Sequence, residues 1–164
     1  MKKIISLLMV MLFAFGMMAT AEEPAGDYYL AITQVANNKL FVNGVGMEFD
    51  EMNPEVKPIQ DADGNILVPL RKVVGAMGGW IDWEEATDSV HILYNGVEIS
   101  FAMNSNQVNV GEETVELSVA PYTIHDRTVV PLDFFVNCMK GNAEVDAETN
   151  TIMLAFLTKV YAAG

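Results

Sequence analysis

The sequence predicts an α+β domain of mainly antiparallel strands with two short helices, built from two copies of a hairpin-strand-helix-hairpin unit. Three observations predict it. The tripeptide Val-Pro-Leu occurs twice, as Val68-Pro69-Leu70 and Val130-Pro131-Leu132, 62 residues apart. Each occurrence runs into apolar residues spaced i, i+3, i+4 and i+7, which places them on one face of a short helix. Each stripe then gives way to two alternating segments around a turn-forming tetrapeptide, the pattern of a β-hairpin. The copies span about residues 40–93 and 108–155.

The N-terminus reads as a secretory signal peptide over residues 1–21: Lys2 and Lys3 precede an apolar run from Ile4 to Met18, and Ala19-Thr20-Ala21 supplies small residues for cleavage after Ala21. The run falls short of the roughly 20 apolar residues a membrane span needs, so no stable span is expected after cleavage. Residues 22–164 are then 143 residues, a single domain without a linker. Removing Lys2 and Lys3 moves the formal charge from −13 to −15, because all 22 acidic residues lie beyond the leader. That charge disfavours nucleic acid and anionic lipid as partners.

In chain order, Val42-Asn43-Gly44 and Asn109-Val110-Gly111 mark a hairpin ahead of each Val-Pro-Leu, and aligning Gly44 with Gly111 makes the first copy about five residues longer in its Pro54 to Asn65 loop. Proline lacks the N–H a ladder needs, so Pro69 and Pro131 should end their strands, or lie on an edge, and launch the helices. The first helix, about residues 70–78, carries Leu70, Val73, Val74 and Met77; the second, about 132–140, carries Leu132, Phe135, Val136 and Met139. Gly79 and Gly141 mark the helix exits. Ile81-Asp82-Trp83-Glu84 and Ala143-Glu144-Val145-Asp146 follow as half-buried strands, and Val90-His91-Ile92 and Ile152-Met153-Leu154 close the hairpins. Strand alternation puts Ile81 and Trp83 on the core face, matched by Ala143 and Val145, and turns Trp80 and Asp82 outward. The counterparts of that outward pair, Asn142 and Glu144, are polar, so Trp80 is the candidate partner contact, an aromatic anchor for a protein or a sugar ring.

These residues resemble the copper amine oxidase N-terminal domain family, a stalk-like module of exported bacterial proteins. The family pattern is an Asn-Gly hairpin, Val-Pro-Leu-Arg, a helix ending in Leu-Gly-Ala, and Val-x-Trp-Asp. The first copy carries it as Asn43-Gly44, Val68-Pro69-Leu70-Arg71, Met77-Gly78-Gly79 and Ile81-Asp82-Trp83-Glu84; the second departs from it at Asp133, Lys140 and Val145. The resemblance covers roughly residues 40 to 155 and implies a non-catalytic stalk. The oxidases build a quinone from Tyr in an Asn-Tyr-Asp/Glu setting and hold copper with three His; this sequence has neither, since His91 and His125 are its only histidines.

Other chemistries find little purchase. Asp61-Ala62-Asp63-Gly64-Asn65 begins like a calcium loop, but Ile66 stands where the loop needs Gly and Lys72 where it needs a bidentate Glu. Cys138 is single, so no internal disulfide forms, and its place beside the second helix stripe suits a buried residue better than a nucleophile. No Gly-x-Ser-x-Gly elbow, phosphate loop or Cys/His pair is present. The expected function is therefore an exported module of the bacterial cell envelope, structural or binding, with no catalytic residues, no cofactor and no metal, and with an envelope protein or wall polymer as partner. The alternative is a small secreted hydrolase or ligand carrier using acidic surface residues.

Overall fold

The computed structural model describes residues 28–157, so the leader expected over residues 1–21 lies outside the described residues. Among the described residues, antiparallel strands with two helices make up the fold, in keeping with the α+β class. The first half contains β1 (Tyr28–Gln34), β2 (Lys39–Val42), β3 (Val45–Glu48), β4 (Ile59–Gln60), β5 (Ile66–Pro69), α1 (Leu70–Ala76), β6 (Trp80–Glu84) and β7 (Ser89–Tyr94). The second contains β8 (Val97–Ala102), β9 (Gln107–Val110), β10 (Glu113–Glu116), β11 (Tyr122–Ile124), β12 (Arg127–Pro131), α2 (Leu132–Asn137), β13 (Asn142–Asp146) and β14 (Thr151–Leu157).

Three sheets result, with strand orders β13-β14-β1-β2-β3, β10-β9-β8-β7-β6 and β11-β12-β5-β4. Each half thus gives its closing hairpin to the other: β6–β7 pairs onto β8, and β13–β14 pairs onto β1. The third sheet joins the halves through β5 and β12, with Val68 opposite Val130, Pro69 opposite Val129 and Leu67 opposite Pro131. Both prolines end their strands, and a helix begins at the next residue in each case. A missing N–H is harmless at that position, because the ladder stops there and the first helical turn has no use for it.

Both hairpins ahead of the helices are present, with a different correspondence from the one that aligns their glycines. Asn43-Gly44 joins β2 to β3, closing on Val42 opposite Val45; Gly111-Glu112 joins β9 to β10, closing on Val110 opposite Glu113. Asn43 and Gly44 both have positive φ, whereas in the second turn only Gly111 does. The two are hairpin turns of different type, with Gly second in one and first in the other. Buried Leu40 and Val42 therefore correspond to buried Val108 and Val110, one residue away from the glycine alignment. Backbone bonds follow the same correspondence. Phe49 N–H donates to Asn38 O (2.9 Å) and Leu117 N–H to Asn106 O (2.7 Å); Val35 N–H donates to Asn150 O (3.0 Å) and Met103 N–H to Asp88 O (2.9 Å).

The core is one apolar cluster drawing on both five-stranded sheets and both helices. Through it runs a chain of edge-to-face rings: Phe101 of β8 meets Phe134 of α2 (centroids 5.6 Å), Phe134 meets Phe135 (5.7 Å), Phe135 meets Phe156 of β14 (6.1 Å), and Phe156 meets Tyr94 of β7 (6.4 Å). In α1 the expected stripe holds, with Leu70, Val73, Val74 and Met77 all buried. In α2 it does not. Phe134, Phe135, Cys138 and Met139 are buried, Leu132 is half-buried, and Val136 is 36 % exposed. The reason is Phe134: its ring fills the space beside Phe101, and turning the helix to bury it rotates the smaller Val136 outward. The matching position in α1 is Lys72, which makes no such demand. Both helices are also shorter than expected, because Met77-Gly78-Gly79 and Cys138 to Gly141 unwind into the next strand.

Gly79 and Gly141 lie where those exits cross a strand. A Cβ on Gly79 would sit 2.7 Å from Val74 Cγ1 and 3.4 Å from Leu93 O; on Gly141 it would sit 2.7 Å from the Phe156 ring and 2.9 Å from Ala155 O. Gly75, inside α1, has open space around it. Gly141→Ala should destabilise the protein by about 1–3 kcal/mol, as overpacking against backbone does, and Gly79→Ala by less. Gly75→Ala should instead stabilise by up to about 1 kcal/mol through helix propensity. Urea unfolding of the three variants checks both signs.

Candidate functional site

Strand β6 is an edge strand, hydrogen-bonded only to β7, and its two faces border different surfaces. On the outer face Trp80 is 59 % exposed and lies directly across from Leu93, itself 47 % exposed. Leu93 is opposite Glu98 on β8, so Trp80, Leu93 and Glu98 form one row across three strands. The next row on that face runs Asp82, His91, Ser100, Asn109 and Thr114. Beyond it Glu84 Oε2 accepts from Thr87 Oγ1 at 2.8 Å and lies 3.3 Å from His91 Nε2. Strand alternation produces this surface: Val90, Ile92 and Tyr94 of β7 go to the core, which leaves His91 and Leu93 outside.

The other face of β6 borders an open groove of about 930 Å³. Its apolar wall is Met47, Phe49, Leu70, Ile81 and Trp83, and Met52 projects at its rim. Trp83 is 37 % exposed, so the expectation of a core tryptophan is corrected. The alternation itself is right, since Ile81 and Trp83 do share a face. That face opens onto the groove, because β6 has no neighbour on its far side to close it. Arg71 and Lys72 of α1 border the groove; Arg71 Nη1 reaches Ile81 O at 3.5 Å, and Lys72 Nζ lies 3.9 Å from Glu51.

The floor is held by an ion pair between residues 77 positions apart, Asp50 and Arg127. Asp50 Oδ2 accepts from Arg127 Nε at 2.8 Å and lies 2.6 Å from Nη2, while Oδ1 accepts from the N–H groups of Met52 and Asn53 at 2.9 and 3.1 Å. The Met52 N–H and the Arg127 guanidinium hold the Asp50 carboxyl below its usual range, against the opposing effect of desolvation. This pair could not be read from the sequence: Asp50 and Arg127 belong to no motif, and the longer loop before Asn65 was the only hint that something extra sits there.

The remaining candidates are dispersed. Asp61 closes its own turn: Oδ1 accepts from Asp63 N–H (2.9 Å) and Asn65 N–H (2.8 Å), and Oδ2 from Asn65 Nδ2 (2.9 Å), so the calcium-loop start is an Asx-type turn whose oxygens face inward to the chain. His91 lies on the second five-stranded sheet, and His125 forms, with Asp126, the positive-φ turn between β11 and β12. Among the described residues no group of three or more His, Cys, Asp or Glu is placed to hold a metal ion. Cys138 is buried at 2 % exposure at the end of α2. Burial first, and Asp133 next, push its thiol up to about 12. Asp133, which stands where the first half has Arg71, accepts Ser118 N–H at 2.7 Å and so ties the chain after β10 to the start of α2. Among the described residues no helix is long and apolar enough to cross a membrane.

Comparison with protein families matches residues 41–154 to the copper amine oxidase N-terminal domain, a span that covers both helices, β6 and the groove. No curated protein and no solved structure matches the chain.

Trp83→Ala should cost about 2 kcal/mol in chemical unfolding, below the roughly 3–5 kcal/mol of a fully enclosed aromatic, because the groove leaves part of its ring in water. The reactivity of Cys138 gives a second check. An unfolded thiol ionises near 9 and the folded one holds its proton to about 12, so this group's contribution to stability is full below pH 9 and is lost as pH rises towards 12. At pH 8 a thiol reagent should label the native protein slowly and the urea-unfolded protein at the rate of a free cysteine. Equal rates in the two states would mean that the helix end is open.

Proposed function

Given that the chain belongs to the copper amine oxidase N-terminal domain family, we propose that it is a non-catalytic, stalk-like module, exported to the cell envelope, that holds a partner through Trp80. Export is supported by Lys2, Lys3, the apolar run from Ile4 to Met18 and the small residues ending at Ala21. The binding role rests on one observation: a tryptophan and a leucine lie side by side, both about half exposed, at the edge of an otherwise polar sheet face. Core packing does not account for the pair, and indole offers a large, rigid contact area at small entropic cost.

The two halves are, in this reading, copies of one unit that exchange closing hairpins. The element order of the halves, the symmetric register around Val68 and Val130, and the matched backbone bonds of Phe49 with Leu117 and Val35 with Met103 support it. Duplication also explains why one copy can diverge. Asp133 replaces the arginine of the first copy and clasps a shorter connection, while the first copy keeps Arg71, Trp83 and the groove.

The test is affinity capture from envelope fractions with the protein as bait, wild type against Trp80→Ala. The variant should unfold within about 1 kcal/mol of wild type, as exposed sites do, and should lose the captured component. Retention of every component by a folded Trp80→Ala variant would remove Trp80 as the contact.

A further inference from the structure

Which partner the Trp80 surface takes follows from charge. Residues 80–116, which make up all five strands of the second sheet, contain eight Asp or Glu and no Lys or Arg. On the outer face itself Glu98 lies across from Leu93 and Asp82 lies in the row next to Trp80, with Glu84 and Glu116 farther along the same face, and His91 is the single basic side chain. The cations of the described chain lie elsewhere: Arg71, Lys72 and Arg127 line the groove, Lys39 and Lys57 pair with Glu48 and Glu55, and Lys140 follows α2 at the entry to β13.

Resting on the reading of Trp80 as a contact, we propose that this sheet face docks a basic polypeptide surface, one that presents lysine or arginine beside an apolar side chain. The arrangement is that of a hot spot with a polar rim. Trp80 and Leu93 provide an apolar centre that gains by losing water, and the carboxylates on the same face steer and orient an oppositely charged partner. The same carboxylates repel anionic wall polymers and anionic lipid surfaces, and a neutral sugar would draw no benefit from them.

The probe is a short synthetic peptide alternating lysine and leucine, titrated into the purified protein by calorimetry. Its counterpart with glutamate for lysine and a β-1,4-linked N-acetylglucosamine oligomer are titrated in parallel. The lysine peptide should bind and the other two should not, and its affinity should fall steeply as salt rises from about 50 to about 300 mM. Trp80→Ala and Glu98→Lys should each weaken it by about tenfold or more, whereas Asp63→Lys, the same charge change on a turn of the third sheet, should leave it within about twofold. Failure of the lysine peptide to bind, or equal weakening by Glu98→Lys and Asp63→Lys, overturns the basic partner. Trp80-dependent binding of the sugar oligomer overturns it too, while sparing Trp80 as the contact. Lysine-peptide binding that Trp80→Ala leaves unchanged overturns the role of Trp80 itself.

Discussion

Everything in this fold hangs on the pairing of β5 with β12. The two strands meet antiparallel with Val68 opposite Val130, and each ends in a proline one residue later. Proline can extend neither a ladder nor a helix interior but tolerates the boundary between them, so both strands must stop and both helices must start at fixed points. Because the strands run in opposite directions, those points lie at opposite ends of the pair, and α1 and α2 leave the central sheet on opposite sides of its centre. Each helix then delivers its following hairpin to the sheet begun by the other half. The exchange of β6–β7 and β13–β14 is thus a geometric consequence of two Val-Pro-Leu segments placed face to face.

Much of this was legible because it is local. Val-Pro-Leu, the stripe of Leu70, Val73, Val74 and Met77, and the glycines at 79 and 141 each carry their structural reason within a few residues. What escaped was set by contacts distant in sequence. Phe134 rotates α2 because Phe101, on another sheet, leaves room for its ring, and no spacing rule contains that information. Trp83 lies on the face that alternation gives it, yet the face is half open, because whether an inward residue is covered depends on which strand has a neighbour. The hairpin glycines misled by one residue for a similar reason: turn type decides whether Gly comes first or second, and the buried valines, not the glycines, fix the register.

The same distinction separates the two faces of β6. Trp80 was legible as an outward aromatic from four residues of alternating strand, whereas the groove on the opposite side is assembled from β3, a loop, α1 and β12, and is held by the ion pair of Asp50 with Arg127. One edge strand thereby presents a flat acidic surface on one side and a walled, mixed-charge recess on the other. The groove side retains the Val-Pro-Leu-Arg and tryptophan elements of the family pattern, and the flat side carries a tryptophan that the matching strand β13 lacks.

The register of β1 with β14 has a mechanical consequence. Tyr28 is opposite Leu157, so the two limits of the described chain lie at one corner, and the seven-residue pair runs inward from there. A pull applied between Tyr28 and Leu157 would load the outermost pair alone, opening the ladder rung by rung in the manner of a zip, without the parallel resistance that sliding the strands would meet. A pair of strands loaded this way is poorly suited to bearing tension.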